Sequence, residues 1–226
     1  MNWSFFKKRE TPLPGYWREY MAHFREPLPQ GICDNVFVVL DTETTGFDFG
    51  KDRMLSLGAL KLKKGKIVIK ESLEIYVEQE HYDAQSAKIH GLIKRGPQFR
   101  IPEAEALEEF LRYAKNHILV GHHVMFDVNM INAALGRQGL PKLRNPTLDT
   151  GLLYKRTLLT TSLLQKKEKY SLDELAEKYG ISRKDRHTAL GDALITAYAF
   201  LGILDRLSPK SLRDLMDKQR PSRIGF

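Results

Sequence analysis

Residues 35–47 read NVFVVLDTETTGF, an apolar run that ends abruptly in two acidic residues. The run is continuous and rich in β-branched residues, which favours a central strand covered on both faces. Asp41 and Glu43 are two apart on extended chain, so their side chains point to the same side of the sheet end. Two such carboxylates must be solvated, hydrogen-bonded or neutralised by a cation, since otherwise the pKa of one would rise. The simpler alternative is that Asp41 and Glu43 belong to an ordinary acidic loop with no cation and no catalytic role.

The segments after this strand predict an α/β domain. Two alternating stretches meet at Lys64–Lys66, which predicts a hairpin because Gly65 lies at the centre of the turn. Short apolar strands are expected in HILVGHH and at the start of PTLDTGLLY, and SLDELAEKYGI begins with a capping-box pattern and ends at a glycine. This order predicts a mixed five-stranded sheet with helices on its faces. The main helices are expected at about 103–115, 125–138 and 188–205.

Residues 1–34 differ in character from the rest of the chain. Prolines bracket the segment YWREYMAHF, in which Tyr16, Tyr20 and Phe24 would share one aromatic helix face with Trp17 and Met21 beside it. We expect this helix to pack against the main domain, and docking of a polymerase or another protein partner is the alternative. The expected division is therefore an N-terminal extension over 1–34, an α/β domain over 35–206, and a C-terminal helix with a basic tail over 207–226.

The amino-acid composition limits the kinds of molecule that the protein is expected to bind. The 226 residues carry a formal net charge of +8, with a pI near 9.4, which favours a polyanion such as nucleic acid. A single cysteine, Cys33, excludes an internal disulfide framework, and we expect its thiol to be buried. The first residues lack the apolar region of a signal peptide, and the longest apolar run, at 193–204, is shorter than the ~20 residues that cross a bilayer. We expect a cytoplasmic protein with no membrane contact.

Two further stretches carry acidic residues at predicted helix starts. VGHHVMFDVNM puts Asp127 directly after a strand, and RHTALGDALITAYAF puts His187 five residues before Asp192. Asp192 is flanked by apolar residues, where a carboxylate is unfavourable unless a cation pairs with it. Complementing the helix dipole is the simpler explanation of each aspartate taken alone.

In this order, DTET, HHVMFD and HTALGD resemble the motifs of the DEDDh family of 3′–5′ exonucleases, which includes proofreading subunits of bacterial replicative polymerases. The resemblance covers about residues 35–205 and extends to IHGL at 89–92. It implies an RNase H-like α/β fold in which four carboxylates gather around two divalent cations. These are the side chains of Asp41, Glu43, Asp127 and Asp192.

The resemblance also implies roles for these residues. Ligands that are all oxygen select hard cations, so Mg²⁺ or Mn²⁺ is expected. Asp41 is expected to bridge both cations, with Glu43 and Asp192 completing one shell and Asp127 assisting at the other or through water. Two cations together activate a water and stabilise the leaving 3′ oxygen. His187 is the expected general base, because a neutral imidazole, with a reference pKa of ~6.5, accepts a proton at neutral pH.

The substrate expected from this family is a 3′ end of nucleic acid. Thr44 and the loop at Gly46 would contact the terminal hydroxyl, and Phe47 would either stack on the last base or pack in the core. His90, His122 and Phe126 are further expected contacts, although each histidine could equally be a hydrogen-bonded structural residue. We expect hydrolysis of DNA at single-stranded or frayed ends, releasing nucleoside 5′-monophosphates. Trimming of RNA or oligoribonucleotides and a non-catalytic nucleic-acid-binding module are the alternatives.

Overall fold

A five-stranded sheet lies at the centre of the computed structural model, which describes residues 12–80, 98–158 and 169–220. The strands are β1 (Val36–Thr44), β2 (Met54–Lys63), β3 (Lys66–Tyr76), β4 (Ile118–Gly121) and β5 (Thr147–Asp149). The helices are α1 (Gly15–Ala22), α2 (Glu103–Ala114), α3 (Met125–Arg137), α4 (Thr150–Thr157), α5 (Leu172–Tyr179), α6 (Ala189–Leu207) and α7 (Leu212–Lys218).

The strand order is β3-β2-β1-β4-β5. The pairs β1–β2 and β2–β3 are antiparallel, whereas β1–β4 and β4–β5 are parallel. The predicted mixed sheet, with its hairpin first and helices between the later strands, is therefore confirmed. Because β1, β4 and β5 run in the same direction, their carboxyl ends meet at one edge of the sheet, where ligands of open α/β sheets bind.

The alternation of side chains along β1 divides the protein into two layers. Val38 and Leu40 point into a core formed with α1, α2 and α3. Phe37 and Val39 point into a second core, formed mainly with α4, α6 and α7. Since successive side chains of a strand alternate, Asp41 and Glu43 lie on the α6 face and Thr42 on the α3 face. The position of each residue along β1 thus determines whether its side chain lies in the α3 layer or in the α6 layer.

The N-terminal helix α1 shares the first core. Its Trp17 and Tyr20 are buried. The Tyr20 hydroxyl donates a hydrogen bond to Asn145 Oδ1 at 2.6 Å and accepts one from the backbone N–H of Arg144 at 2.9 Å. A buried tyrosine hydroxyl satisfied in this way ties the helix to the domain. The aromatic face of α1 packs against the domain, so that face is unavailable to a protein partner.

One expectation about the N-terminal segment is wrong. Cys33 is exposed, because it lies in the one-turn 3₁₀ helix Ile32–Asp34, in which Ile32 rather than Cys33 packs against the core. Among the helices within the described ranges, none has the length and apolar character needed to span a membrane.

Candidate active site

Three carboxylates converge at the carboxyl end of β1. Asp41 and Glu43 come from β1, and Asp192 comes from the first turn of α6. One oxygen from each of the three lies within 4.8 Å of the other two. We call this set the carboxylate trio. The structure thus brings together three of the four acids that the motifs contain.

A glycine in β2 allows α6 to approach the sheet closely enough to form the trio. Gly58 is the antiparallel partner of Asp41. A Cβ at this position would collide with the backbone of Ala189 and Leu190 at the start of α6. No larger residue fits without displacing the helix, and Asp192 lies in that same first turn. A glycine inside a strand often marks a close backbone approach, but the sequence does not say which element approaches Gly58.

Asp127 reaches the same edge from the other layer and is not one of the trio. It lies in the first turn of α3, where Thr42 Oγ1 donates a hydrogen bond to its Oδ1 at 2.7 Å. Burial raises the pKa of Asp127 to about 7, and the hydrogen bond from Thr42 opposes the shift. Thr42 therefore orients the carboxylate, a role that the motif alone did not reveal.

Burial and the neighbouring carboxylates raise the pKa values of Asp41 and Glu43. Burial, followed by the charges of Asp127, Asp192 and Glu43, holds the pKa of Asp41 well above its usual range. Burial and then Asp192 raise the pKa of Glu43 to about 7. Arg186 opposes both shifts, but less strongly. This cluster is therefore electrostatically unfavourable when its members are ionised without a further cation.

Arg186 is the cation next to the trio. Its guanidinium donates hydrogen bonds to Asp192 Oδ2 and, through Nε, to Asp173 Oδ1 at 2.9 Å. This guanidinium is shared between Asp192 and Asp173, so it neutralises only part of the negative charge at this edge. The other oxygen of Asp192, Oδ1, is buried and has no hydrogen-bond partner among the described residues. An all-oxygen donor set with excess negative charge and one unpartnered oxygen fits hard divalent cations.

The excess charge leads to a prediction about stability. With chelator present, the stability of wild type relative to Glu43→Gln is expected to fall as the pH rises from 5 to 8. Burial and then Asp192 raise the pKa of Glu43 in the folded state from 4.5 to about 7. The stability that Glu43 contributes is therefore fully present below its unfolded-state pKa and is lost as the pH rises through its folded-state pKa. The expected change is on the order of 1–3 kcal/mol, since one pKa unit corresponds to about 1.4 kcal/mol.

Thermal unfolding of both proteins at several pH values in EDTA measures this difference. Adding Mn²⁺ at pH 8 should restore the stability of wild type more than that of the variant. Parallel stability curves for the two proteins between pH 5 and pH 8 would contradict the electrostatic description of the trio.

His187 lies just before α6, outside the carboxylate trio. It is exposed, with a left-handed backbone φ of 66°, and no described residue hydrogen-bonds its ring. Two features hold its loop against the helix: Thr188 caps α6 by accepting from Gly191 N, and Gly191 has no Cβ to collide with the carbonyl of Asp185. The ring is therefore accessible beside the site while the backbone around it is anchored.

The loop after β1 is organised by Asp52. Its carboxylate accepts hydrogen bonds from Thr45 Oγ1 and from the backbone N–H of Asp48, both at 2.8 Å. A Cβ on Gly46 would collide with this carboxylate, and Thr44 Oγ1 donates to the Gly46 carbonyl at 2.8 Å. The loop expected to meet the substrate is thus internally bonded, and Asp52, which the motifs did not single out, is its centre.

Three phenylalanines form what we call the aromatic platform: Phe47, Phe49 and Phe126. Phe47 is 83% exposed. The ring centroids of Phe47 and Phe126 are 5.6 Å apart, and those of Phe49 and Phe126 are 5.7 Å apart. The core-packing alternative for Phe47 is wrong. Since Phe126 directly precedes Asp127 in α3, the platform lies beside the carboxylates.

His122 has a structural role in this geometry. Its Nδ1 lies 3.0 Å from Thr150 Oγ1 and its Nε2 lies 2.8 Å from the carbonyl oxygen of Tyr170. The carbonyl requires Nε2 to donate, so Nδ1 accepts from the threonine. Burial is the main reason that the pKa of His122 falls to about 4, which keeps the ring neutral. Of the two roles expected for this histidine, the structure favours the hydrogen-bonded one. His90, expected as a substrate contact, lies outside the described residues.

Comparison of the sequence with known proteins places it among nucleases. The family model described as exonuclease, RNase T, matches residues 38–200. DNA polymerase III subunit epsilon of Aquifex aeolicus is 34% identical over 180 residues, which are 80% of this chain and 86% of that protein. The PolC-type DNA polymerase III of Thermotoga maritima is 30% identical over 213 residues, but these make up only 15% of its length against 89% of this chain.

Solved structures agree on the fold. A structure of exonuclease X in complex with 5′ overhanging duplex DNA superposes with a TM-score of 0.62 at 19% identity, covering 81% of this chain and 99% of that one. E. coli exonuclease I in complex with a dT13 oligonucleotide gives a TM-score of 0.65 at 17% identity, covering 77% of this chain and 42% of that one. The chain belongs to the exonuclease family, with the RNase H-like fold and the DEDDh 3′–5′ exonuclease relationship that its motifs predict.

Proposed function

We propose that this protein hydrolyses phosphodiester bonds at the 3′ end of DNA, at single-stranded or frayed ends, and releases nucleoside 5′-monophosphates. The observation that carries the proposal is the convergence of Asp41, Glu43 and Asp192 within 4.8 Å, with Asp127 held by Thr42 at the same edge. Four carboxylates from three separate elements have no structural reason to meet there, because their repulsion opposes folding.

Two kinds of comparison support DNA as the substrate. The Aquifex relative bears the name of a DNA polymerase III subunit, and two structures of similar fold hold DNA. The formal net charge of +8 independently favours a polyanion. RNA is the alternative, since stacking and phosphate contacts tolerate either sugar unless a 2′-hydroxyl is read.

We assign the four carboxylates to two divalent cations, Mg²⁺ or Mn²⁺. Asp41, Glu43 and Asp192 would hold one cation, and Asp41 with Asp127 would hold the other. When bound, such cations activate water and stabilise charge on the reacting phosphate and the leaving oxygen. Thr42 keeps Asp127 oriented. Arg186 neutralises part of the charge of Asp192 and keeps that carboxylate fixed at the edge.

His187 is assigned as the general base, which removes a proton from the attacking water through a ring nitrogen. The exposure of its ring and the anchoring of its loop by Thr188 support this role, since an accessible proton acceptor is held close to α6. The bond between phosphorus and the 3′ oxygen of the penultimate nucleotide breaks, so the terminal nucleotide leaves with a 5′-phosphate. The freed 3′ oxygen takes up a proton from solvent and becomes the new terminal hydroxyl.

The aromatic platform is assigned to the terminal bases. Every base has a stacking face, so exposed aromatic rings hold single strands with little sequence preference. Phe47 supplies the most exposed ring, and Phe126 supports it from below at 5.6 Å. Along the chain, Thr44 and Gly46 connect Glu43 of the trio to Phe47 of the platform, which suits contact with the terminal 3′-hydroxyl.

Phe47→Ala is expected to raise KM for a single-stranded DNA oligomer about tenfold, with kcat changed less, because stacking on one base contributes ~1–3 kcal/mol. Steady-state kinetics on a 5′-labelled oligomer measure both constants. Tyr198→Ala, which removes a 49% exposed ring from the middle of α6, is the matched control. An unchanged KM for Phe47→Ala would remove Phe47 from the substrate site.

The decisive experiment compares the products from 5′-labelled single-stranded DNA and RNA with Mg²⁺ or Mn²⁺ present. A ladder of products shortened one nucleotide at a time, with release of mononucleotides, is the expected result. Internal fragments would overturn the exonuclease proposal, and faster shortening of RNA would move the substrate to the alternative. A protein that binds either strand without cleaving it would be the non-catalytic module.

A polymerase partner completes the proposal, since two relatives carry the names DNA polymerase III subunit epsilon and DNA polymerase III PolC-type. The partner would dock on a surface other than the aromatic face of α1, because Trp17 and Tyr20 are buried. Gel filtration with a bacterial replicative polymerase tests the association, and separate elution of the two proteins would rule that complex out.

A further inference from the structure

A cavity of about 440 Å³ adjoins the aromatic platform at the ends of β4 and β5. Phe49 and Phe126 belong both to the platform and to the cavity wall, so the two surfaces are continuous. The wall also includes two exposed apolar side chains, Met125 at 51% and Leu152 at 45% exposure. Large apolar side chains left open to solvent beside a cavity mark a binding surface.

Two lysines give this cavity a positive charge. Lys155 from the last turn of α4 and Lys169 beside Tyr170 both line it. Neither ammonium forms an ion pair with a carboxylate of the described residues. The cavity also contains Asp149, but this carboxylate is already engaged, because its two oxygens accept hydrogen bonds from the backbone N–H groups of Val124 and Leu152, both at 3.0 Å. The cations available to a ligand are therefore the lysines.

Apolar walls with two unpaired cations match the chemistry of a nucleotide within a strand, which presents a flat base and a phosphate. The volume lies in the range of about 300–1,000 Å³ found for small-ligand sites. The opening toward Phe126 means that a strand whose 3′ end lies at the carboxylates could cross the platform and enter the cavity. An apolar peptide would leave the lysines without partners, whereas a nucleic-acid strand satisfies both features.

We propose that this cavity is a second binding site for the substrate strand, and that it takes the single-stranded segment on the 5′ side of the nucleotides at the catalytic site. Met125 and Leu152 contact a base, and Lys155 and Lys169 contact the adjoining phosphates. The inference rests on the proposed function, since it gives the exonuclease a preference for strands long enough to reach the cavity.

The test compares a long substrate with one that has no upstream nucleotides. The long substrate is a single-stranded DNA 20-mer, and the short one is the p-nitrophenyl ester of thymidine 5′-monophosphate. For the double variant Lys155→Gln and Lys169→Gln, the ratio of kcat/KM on the 20-mer to kcat/KM on the ester is expected to fall about tenfold at low salt. The salt dependence of 20-mer binding should also weaken, by about 0.7 in the log–log slope for each phosphate that the variant no longer neutralises.

Lys66→Gln is the matched control, because Lys66 is an exposed lysine at the opposite end of the sheet, paired with Lys63 in the β2–β3 hairpin. Its ratio should equal that of wild type. An unchanged ratio in the double variant, with wild type active on both substrates, would overturn the second binding site and leave the proposed function intact. If wild type hydrolyses neither substrate with Mn²⁺ present, the proposed function itself fails.

Discussion

Asp41→Asn is expected to lower the rate of DNA hydrolysis by at least about 10³-fold, which corresponds to a loss of roughly 4 kcal/mol of transition-state stabilisation. The reason is the central position of this carboxylate. Burial and then the charges of Asp127, Asp192 and Glu43 raise the pKa of Asp41, so Asp41 is close to the acids of both layers. A residue in that position is the one able to serve two cations at once.

The same substitution, Asp41→Asn, is expected to raise the stability of the protein although it lowers the activity. Without divalent cations Asp41→Asn should unfold at a higher temperature than wild type, since one of four repelling carboxylates is gone. The increase in unfolding temperature that Mn²⁺ gives wild type should shrink or vanish in the variant. Asp34→Asn, an exposed change just before β1, is the control for both measurements. Activity within tenfold of wild type would show that Asp41 is not central to the site.

The sequence predicted the sheet and most helices because each has a local signal. The capping box at Ser171 and Glu174 is present, and Gly180 ends α5 in the left-handed conformation. The alternation along β1 also placed Asp41 and Glu43 on one face, which is the face that α6 covers. The four motif acids follow from the family resemblance, and the structure brings three of them within 4.8 Å.

The contacts that shape the site could not be predicted, because they join residues far apart in the chain. Thr42 and Asp127 meet only because β1 ends and α3 begins at the same edge, and Gly58 matters only because the strand register pairs it with Asp41. The role of His122 could not be predicted for the same reason. The family resemblance left a substrate contact and a hydrogen-bonded structural role equally open for His122. The sequence could not decide between them, because the partners of the ring, Thr150 and the Tyr170 carbonyl, lie well beyond it in sequence.

His187→Ala is expected to reduce kcat about 10²–10⁴-fold, the usual contribution of a positioned general base. Binding of single-stranded DNA should change little, because the proposed contacts to the strand come from the aromatic platform and the loop of Thr44 and Gly46. The fold should be unaffected, because the ring of His187 is exposed and no described residue hydrogen-bonds it. The backbone of the loop should also survive the change. Arg186 remains tied to Asp173 and Asp192, and Thr188 still caps α6. The variant therefore separates proton transfer from the integrity of the carboxylate trio.

Single-turnover cleavage of a 5′-labelled oligomer with Mn²⁺, together with fluorescence anisotropy for binding, makes this separation measurable. His187→Gln is the informative companion, because glutamine hydrogen-bonds but does not take up a proton at neutral pH. It should be nearly as slow as the alanine variant if proton transfer is the role. If glutamine restores most of the rate, His187 only orients water, and the base must be sought elsewhere. Near-normal rates in both variants would exclude His187 from the reaction, because neither side chain can replace an imidazole that accepts a proton.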